Sequence, residues 1–211
     1  MNLEVYVIGS RELSRGRSQG EVIGAALAGG ATVVQLREKN LSGRELLALA
    51  LQYRELTQRY GALFIVNDRV DIALAAQADG VHLGQDDLPA PVARRLLGPD
   101  KIIGVSVDNV DEAWQAQEAG ADYVGLGPFF PSGSKTDTGK PVSLDTLRAV
   151  KAAIGIPVVA IGGIKAEKAG NIIAAGADGV AVISAVVGAP DVKLAAQQLA
   201  AAVRAGKEKR K

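Results

Sequence analysis

Cysteine is absent from this 211-residue chain, which excludes disulfides, thiolate metal centres and thiol nucleophiles and fits a reducing cytoplasm. Histidine occurs once, as His82. Aromatic residues make up only 4%, so a core has to be assembled from Val, Ile, Leu and Ala. No charge sign dominates: 24 Lys and Arg face 23 Asp and Glu, and no global field recruits nucleic acid or an anionic membrane. Any anion site must be local. No apolar run is long enough to span a bilayer. The opening segment, Met1 to Ser10, carries Glu4 and lacks a basic region followed by a sustained apolar stretch, so it does not read as a secretion signal. The expected partners are small molecules, with homo-oligomerisation left open.

The chain is 48% hydrophobic and has 25 glycines, a composition that fits one α/β domain with many tight turns. Short β-branched runs recur at Val5–Ile8, Thr32–Val34, Leu63–Val66, Gly80–His82, Ile102–Val105, Tyr123–Leu126, Pro157–Ile161 and Val180–Ile183. They are apolar throughout rather than alternating, as strands of a parallel sheet are when helices cover both faces. Stretches of helical period lie between them. From Ser42 to Arg59, Leu46, Leu49, Tyr53 and Leu56 share a stripe, and Ser42 with Glu45 forms a capping box. A phrase repeats at Gly29-Gly30-Ala31, Ala78-Asp79-Gly80, Gly120-Ala121-Asp122 and Gly176-Ala177-Asp178, where helices should end and strands begin; glycine there accepts a left-handed backbone. Eight βα units in this length predict a compact single-domain (β/α)8 barrel over residues 1–205, with a doubly wound open sheet as the competing architecture. The basic run 206–211 is expected to be a disordered tail.

In such a barrel the informative residues follow the strands. After the second, Gln35, Arg37 and Lys39 alternate along an extended chain and can converge on a phosphate; a solvated loop balanced by Glu38 is the plain alternative. After the third comes Asn67-Asp68-Arg69, and after the fourth His82 to Asp87. Asp68 and Asp87 read singly as helix caps, for the helices at Val70 and near Pro89. Together, Asp68 with Asp86 or Asp87 supplies oxygen ligands of the kind Mg²⁺ prefers. His82 reads as a structural hydrogen-bonding residue. Ser106 ends the fifth strand. The sixth runs into a long segment, Gly127 to Gly139, where Ser132, Ser134 and Lys135 read as a lid carrying a cation. Gly162-Gly163-Ile164 and Ile183-Ser184, after the last two strands, suit backbone binding of a phosphate.

Six of these stretches in combination resemble the thiamine phosphate synthase family, over about Tyr6 to Ser184: Gln35 to Lys39, Val66 to Arg69, Gly80 to Asp87, Gly127 to Lys135, Ala160 to Ile164 and Gly176 to Ser184. The resemblance implies a (β/α)8 fold, Mg²⁺, and transfer of hydroxymethylpyrimidine from its diphosphate to the ring nitrogen of a thiazole phosphate, carboxylated or not, with release of pyrophosphate. By the same resemblance Gln35, Arg37, Lys39 and Asn67 hold the pyrimidine diphosphate, Asp68 and Asp87 bind the metal, and Ser106 contacts the pyrimidine. Ser132, Ser134 and Lys135 belong to the phosphate-contacting loop, and Gly163, Ile183 and Ser184 serve phosphate oxygens. The chain departs from the family's usual pattern in carrying Ser132 and Ser134 in place of threonine, and Asp108 where many relatives have histidine.

The inferred chemistry needs no general base. An electron-rich aminopyrimidine expels pyrophosphate to leave a stabilised cation, and a neutral thiazole nitrogen captures it without losing a proton. The protein must position two fragments, neutralise the leaving diphosphate through Arg37, Lys39 and Lys135, and exclude water. A related thiazole tautomerase needs a proton-transfer group, which Asp108 replaces here. A silent phosphate-sensing protein has no need of the carboxylates or Lys135.

Overall fold

The computed structural model describes residues 1–131 and 141–210. Strands β1 (Val5–Ile8), β2 (Val33–Leu36), β3 (Leu63–Asn67), β4 (Gly80–Leu83), β5 (Ile102–Val107), β6 (Tyr123–Leu126), β7 (Val158–Ile161) and β8 (Gly179–Val182) pair in chain order. All are parallel, and β8 returns to β1 with Val5 opposite Val180, closing the barrel. Around it lie α1 (Gln19–Ala28), α2 (Gly43–Tyr60), α3 (Val70–Ala75), α4 (Ala90–Leu97), α5 (Val110–Glu118), α6 (Leu144–Ala153), α7 (Ala166–Ala174), the single turn α8 (Ser184–Val187) and α9 (Val192–Arg210). The (β/α)8 expectation holds.

The pleat sorts each strand into two cores. Tyr6, Ile8, Val33, Ile65, Tyr123, Val159 and Ala181 point into the barrel. Their neighbours Val5, Val7, Val34, Phe64, Val66, Val124 and Val180 point outward under the helices. Burying each such aliphatic side chain contributes about 1.5–3 kcal/mol, which is why neither face of the strands is polar.

Helix α2 starts as expected: Ser42 Oγ accepts from Glu45 N–H, and Glu45 reaches back to Ser42 N–H. Its stripe is displaced from the expected one. Leu46 and Tyr53 are buried, but Ala50 and Thr57 are the other fully buried positions, while Leu49 and Leu56 sit at the edge. Small residues face the barrel because the helix packs close to it.

The repeated phrase has a second use. Gly30, Gly120 and Gly176 take positive φ as expected, whereas at the second copy Gln77 takes it, with φ 52°. The aspartates then clamp the N-terminal end of the barrel. Asp79, Asp122 and Asp178 accept from the backbone N–H of Phe64, Ile103 and Val158 at 2.7, 2.7 and 2.8 Å. Each returns its own N–H to the same residue's carbonyl. Thr32 does the same for Val5, with its hydroxyl at 3.0 Å. Arg54, Arg94 and Lys151 pair with the three carboxylates at 3.0, 2.6 and 2.8 Å. One device therefore recurs once per pair of strands.

The tail expectation is corrected. Residues 206–210 continue α9, and Gly206 is buried where a Cβ would come within 2.5 Å of the Gly170 carbonyl of α7. Lys207 pairs with Glu4, and Arg210 donates to the Ala177 carbonyl. Buried small-residue packing and two charge contacts hold helical a segment whose composition alone reads as frayed.

Candidate active site

The C-terminal rim gathers the polar residues. Strand β2 ends at Leu36 with Gln35 facing inward and buried, and Arg37 and Lys39 follow in the loop, near enough to act on Asp68. Glu38 forms no ion pair with them, although Arg37 lies near enough to attract it: its carboxylate accepts from Arg11 N–H at 2.7 Å in the β1–α1 segment. Burial raises its pKa. Among the described residues no ion pair engages Arg37 or Lys39.

Asp68 follows β3 with φ 61°, a left-handed conformation that aspartate tolerates better than most residues. Its N–H donates to the His82 carbonyl at 2.9 Å, joining the ends of β3 and β4. The capping readings fail. The N-cap positions of α3 and α4 are Arg69 and Pro89, and neither helix has a side-chain cap. Asp87 instead turns back so that Oδ2 accepts from Gly84 N–H at 2.7 Å, which brings its carboxyl against that of Asp68. Burial and this neighbour push Asp68 up to about 6, while Lys39 and Arg37 pull the other way. Asp86 is exposed, so the geometry selects Asp87 as the partner.

Lys39, Asn67 and Asp68 line one hollow of about 210 Å³. Arg69, at its edge, is already paired with Asp71. Two adjacent, half-buried carboxyls beside cations fit Mg²⁺, which takes one or two carboxylates and completes its shell with water and phosphate oxygens. Among the described residues no third carboxylate, histidine or thiol joins them.

Ser106 lies inside β5 rather than at its end, and His82 lies beside it on β4. His82 Nε2 and Ser106 Oγ are 2.9 Å apart, and His82 Nδ1 is 2.9 Å from the Tyr123 hydroxyl. Tyr123 meets the Tyr6 hydroxyl at 2.9 Å, and Tyr6 accepts from Gln35 Nε2 at 2.8 Å. Two expected site residues are thus joined through the barrel by two tyrosines that sequence reasoning missed. The available signal was glycine within strands, at Gly104 and Gly125, which marks close approach of a neighbour.

Gly162 and Gly163 have φ of 101° and 59° and pack against Pro128, Phe130 and Pro131, and Phe130 N–H donates to the Gly162 carbonyl. They seat the start of the β6–α6 segment. Ile183 is half-buried and Ser184 exposed at the start of α8. Among the described residues no hydrogen bond or ion pair joins Gly163, Ile183 or Ser184 to the Asp68 cluster. Ser132, Ser134 and Lys135 lie outside the described residues. Asp108 is exposed and bound to Asn109, the cap of α5.

A family model described as thiamine monophosphate synthase matches residues 5–186. Thiamine-phosphate synthase of Moorella thermoacetica is 59% identical over 196 residues, covering 93% of this chain and 93% of its own. That of Chloroflexus aurantiacus is 55% identical, covering 97% and 94%. The solved structure of thiamine phosphate pyrophosphorylase from Pyrococcus furiosus superposes with a TM-score of 0.89 at 44% identity, covering 96% of each chain. The barrel and its rim are therefore those of an enzyme, a transferase with small-molecule substrates. The chain belongs to the thiamine monophosphate synthase family, and its reaction is the synthesis of thiamine phosphate. Among the described residues no helix is long and apolar enough to cross a membrane.

Proposed function

We propose that the chain joins an aminopyrimidine, carried as its hydroxymethyl diphosphate, to the ring nitrogen of a thiazole phosphate by dissociative displacement. The C–O bond breaks with its electron pair leaving on pyrophosphate, and the thiazole lone pair forms the new C–N bond. The observation that carries this reading is the cluster of Asp68 and Asp87 with Arg37 and Lys39 close enough to act on Asp68 and engaged in no ion pair among the described residues.

In this reading Gln35, Arg37, Lys39 and Asn67 hold the pyrimidine diphosphate, the two cations on its diphosphate arm, and Ser106 contacts the pyrimidine. Arg37 and Lys39, with Lys135, stabilise negative charge as it gathers on the leaving oxygen, the stage at which fixed cations lower a barrier most. Ser132 and Ser134 add hydroxyl donors, while Gly163, Ile183 and Ser184 serve the acceptor's phosphate. Asp68 and Asp87 hold Mg²⁺, which when bound supplies further charge neutralisation to the diphosphate. No residue needs to take a proton, in keeping with a rim that offers one imidazole and no thiol. A cytoplasmic setting belongs to the same proposal and is supported by the cysteine-free composition.

Purified protein mixed with both substrates and Mg²⁺ forms thiamine phosphate and pyrophosphate in equal amounts. Folded protein that forms neither overturns the reading. Lys135→Ala lowers turnover with little change in melting temperature; the reverse pattern removes Lys135 from the site.

A further inference from the structure

Gln35, Tyr6, Tyr123, His82 and Ser106 come from five strands and run as one hydrogen-bonded file across the inside of the barrel. Such interiors are ordinarily filled by branched aliphatic residues that need no partners. Here room has been made for rings. A Cβ at Gly104 would lie 2.1 Å from the Tyr123 ring, and one at Gly125 would lie 3.0 Å from His82 Cε1. Neither glycine has positive φ, so close approach is what requires them. Both tyrosines are sealed from solvent, and burial raises both phenol pKa values, so each keeps its one proton.

One proton per hydroxyl makes the file directional. Tyr6 receives the Gln35 amide proton, and its own buried O–H finds an acceptor among the described residues only in Tyr123. In that order Tyr123 gives its proton to His82 Nδ1, and His82, as the Nε2–H tautomer, donates to Ser106 Oγ. Among the described residues Ser106 Oγ has no further partner, so its O–H is left to donate. Gln35 is left with Oε1, which has no protein partner among the described residues, as an acceptor. Reversing one bond reverses every other.

We propose that this file sets the polarity with which the rim reads the aminopyrimidine: Tyr123 is a positioning residue that, through His82, holds Ser106 as donor and, through Tyr6, holds Gln35 as acceptor. A ring nitrogen needs the first and an exocyclic amine the second. The inference rests on the pyrimidine diphosphate reading above.

His82 is the sole histidine, so nitrogen-15 labelling of histidine reports its tautomer directly. The wild-type ring carries its proton on Nε2, and Tyr123→Phe moves the population toward Nδ1–H. The same variant raises KM for the pyrimidine diphosphate about tenfold, the worth of one good hydrogen bond, and leaves KM for the thiazole phosphate unchanged. Tyr6→Phe acts likewise, and the double variant is no worse than either single one, because a file broken once is broken. A wild-type ring protonated on Nδ1, or KM values that rise together, overturns the file. If Tyr123→Phe does not fold, the wild-type tautomer and Tyr6→Phe decide the matter. A wild-type protein that makes no thiamine phosphate overturns the reaction and the pyrimidine assignment with it; an unchanged His82 spectrum in an active Tyr123→Phe enzyme overturns the file alone.

Discussion

The two ends of the barrel treat carboxylates in opposite ways. At the N-terminal end Asp79, Asp122 and Asp178 each take a strand N–H and a cation, and little electrostatic demand is left over. At the C-terminal end Asp68 and Asp87 face each other, and nearby Arg37 and Lys39 have no ion-pair partner among the described residues. The same residue types serve cohesion at one rim and leave an unsatisfied field at the other, the division expected of this barrel architecture. A site that must attract a charged ligand cannot also neutralise itself.

Substitutions at the two rims should separate along that line. Asp68→Asn should cost most in rate, lowering kcat/KM about a thousandfold while the melting temperature holds or rises, since a mutual repulsion is removed. Parallel activity and thermal unfolding assays check this, and a fall in stability with normal activity breaks the contrast. Asp122→Ala should do the converse. It orphans the Ile103 N–H and removes the carboxylate partner of Arg94, whose guanidinium keeps its bonds to the Gly98, Lys101 and Gly120 carbonyls, for about 2 kcal/mol in urea unfolding, with kcat/KM of the folded enzyme unchanged.

A pH series sharpens the comparison further. Burial and Asp87 push Asp68 up to about 6 from the ordinary 3.8, so between those values the folded state holds a proton that the unfolded chain has released. Its contribution to stability is complete below 3.8 and is lost as pH rises through about 6. With solvent screening at this half-exposed group, wild type should lose about 1 kcal/mol relative to Asp68→Asn across that window. Unfolding midpoints of the two proteins that stay parallel from pH 4 to pH 7 remove the basis for it. Mg²⁺ added at pH 7 should raise the melting temperature of wild type and leave that of Asp68→Asn in place. Smallest of all, Thr32→Val should cost about 0.5–1 kcal/mol, because this first clamp holds its strand with a neutral hydroxyl and no cation.

The fold was legible because strands buried on both faces leave apolar runs that a surface sheet would not, and because Ser42 and Glu45 announce a helix start without tertiary help. The polar loops stood out for a similar reason, each following an apolar run. Other features depend on approach between distant segments. Tyr6 and Tyr123 read as filling in two apolar runs, and only closure of the barrel brings their hydroxyls together. The choice between Asp86 and Asp87 hangs on a turn in which Gly84 N–H selects its acceptor three residues on. The helical end of α9 needs Gly170 opposite Gly206, a pairing that composition at the end of the chain does not display.

Helix α9 also lies along the seam of the cylinder. A Cβ at Gly29, after α1, would come within 2.6 Å of the Ala196 Cβ, and Gly206 meets Gly170 on the other side. Glycines on both flanks thus let one late helix brace the first and last βα units together. During synthesis the β1–β8 join, which spans nearly the whole chain, has to wait for β8 to leave the ribosome, and the brace follows later still. The nascent protein must hold an open sheet edge until then, so early stops within α9 should yield chains that aggregate rather than weakened enzymes.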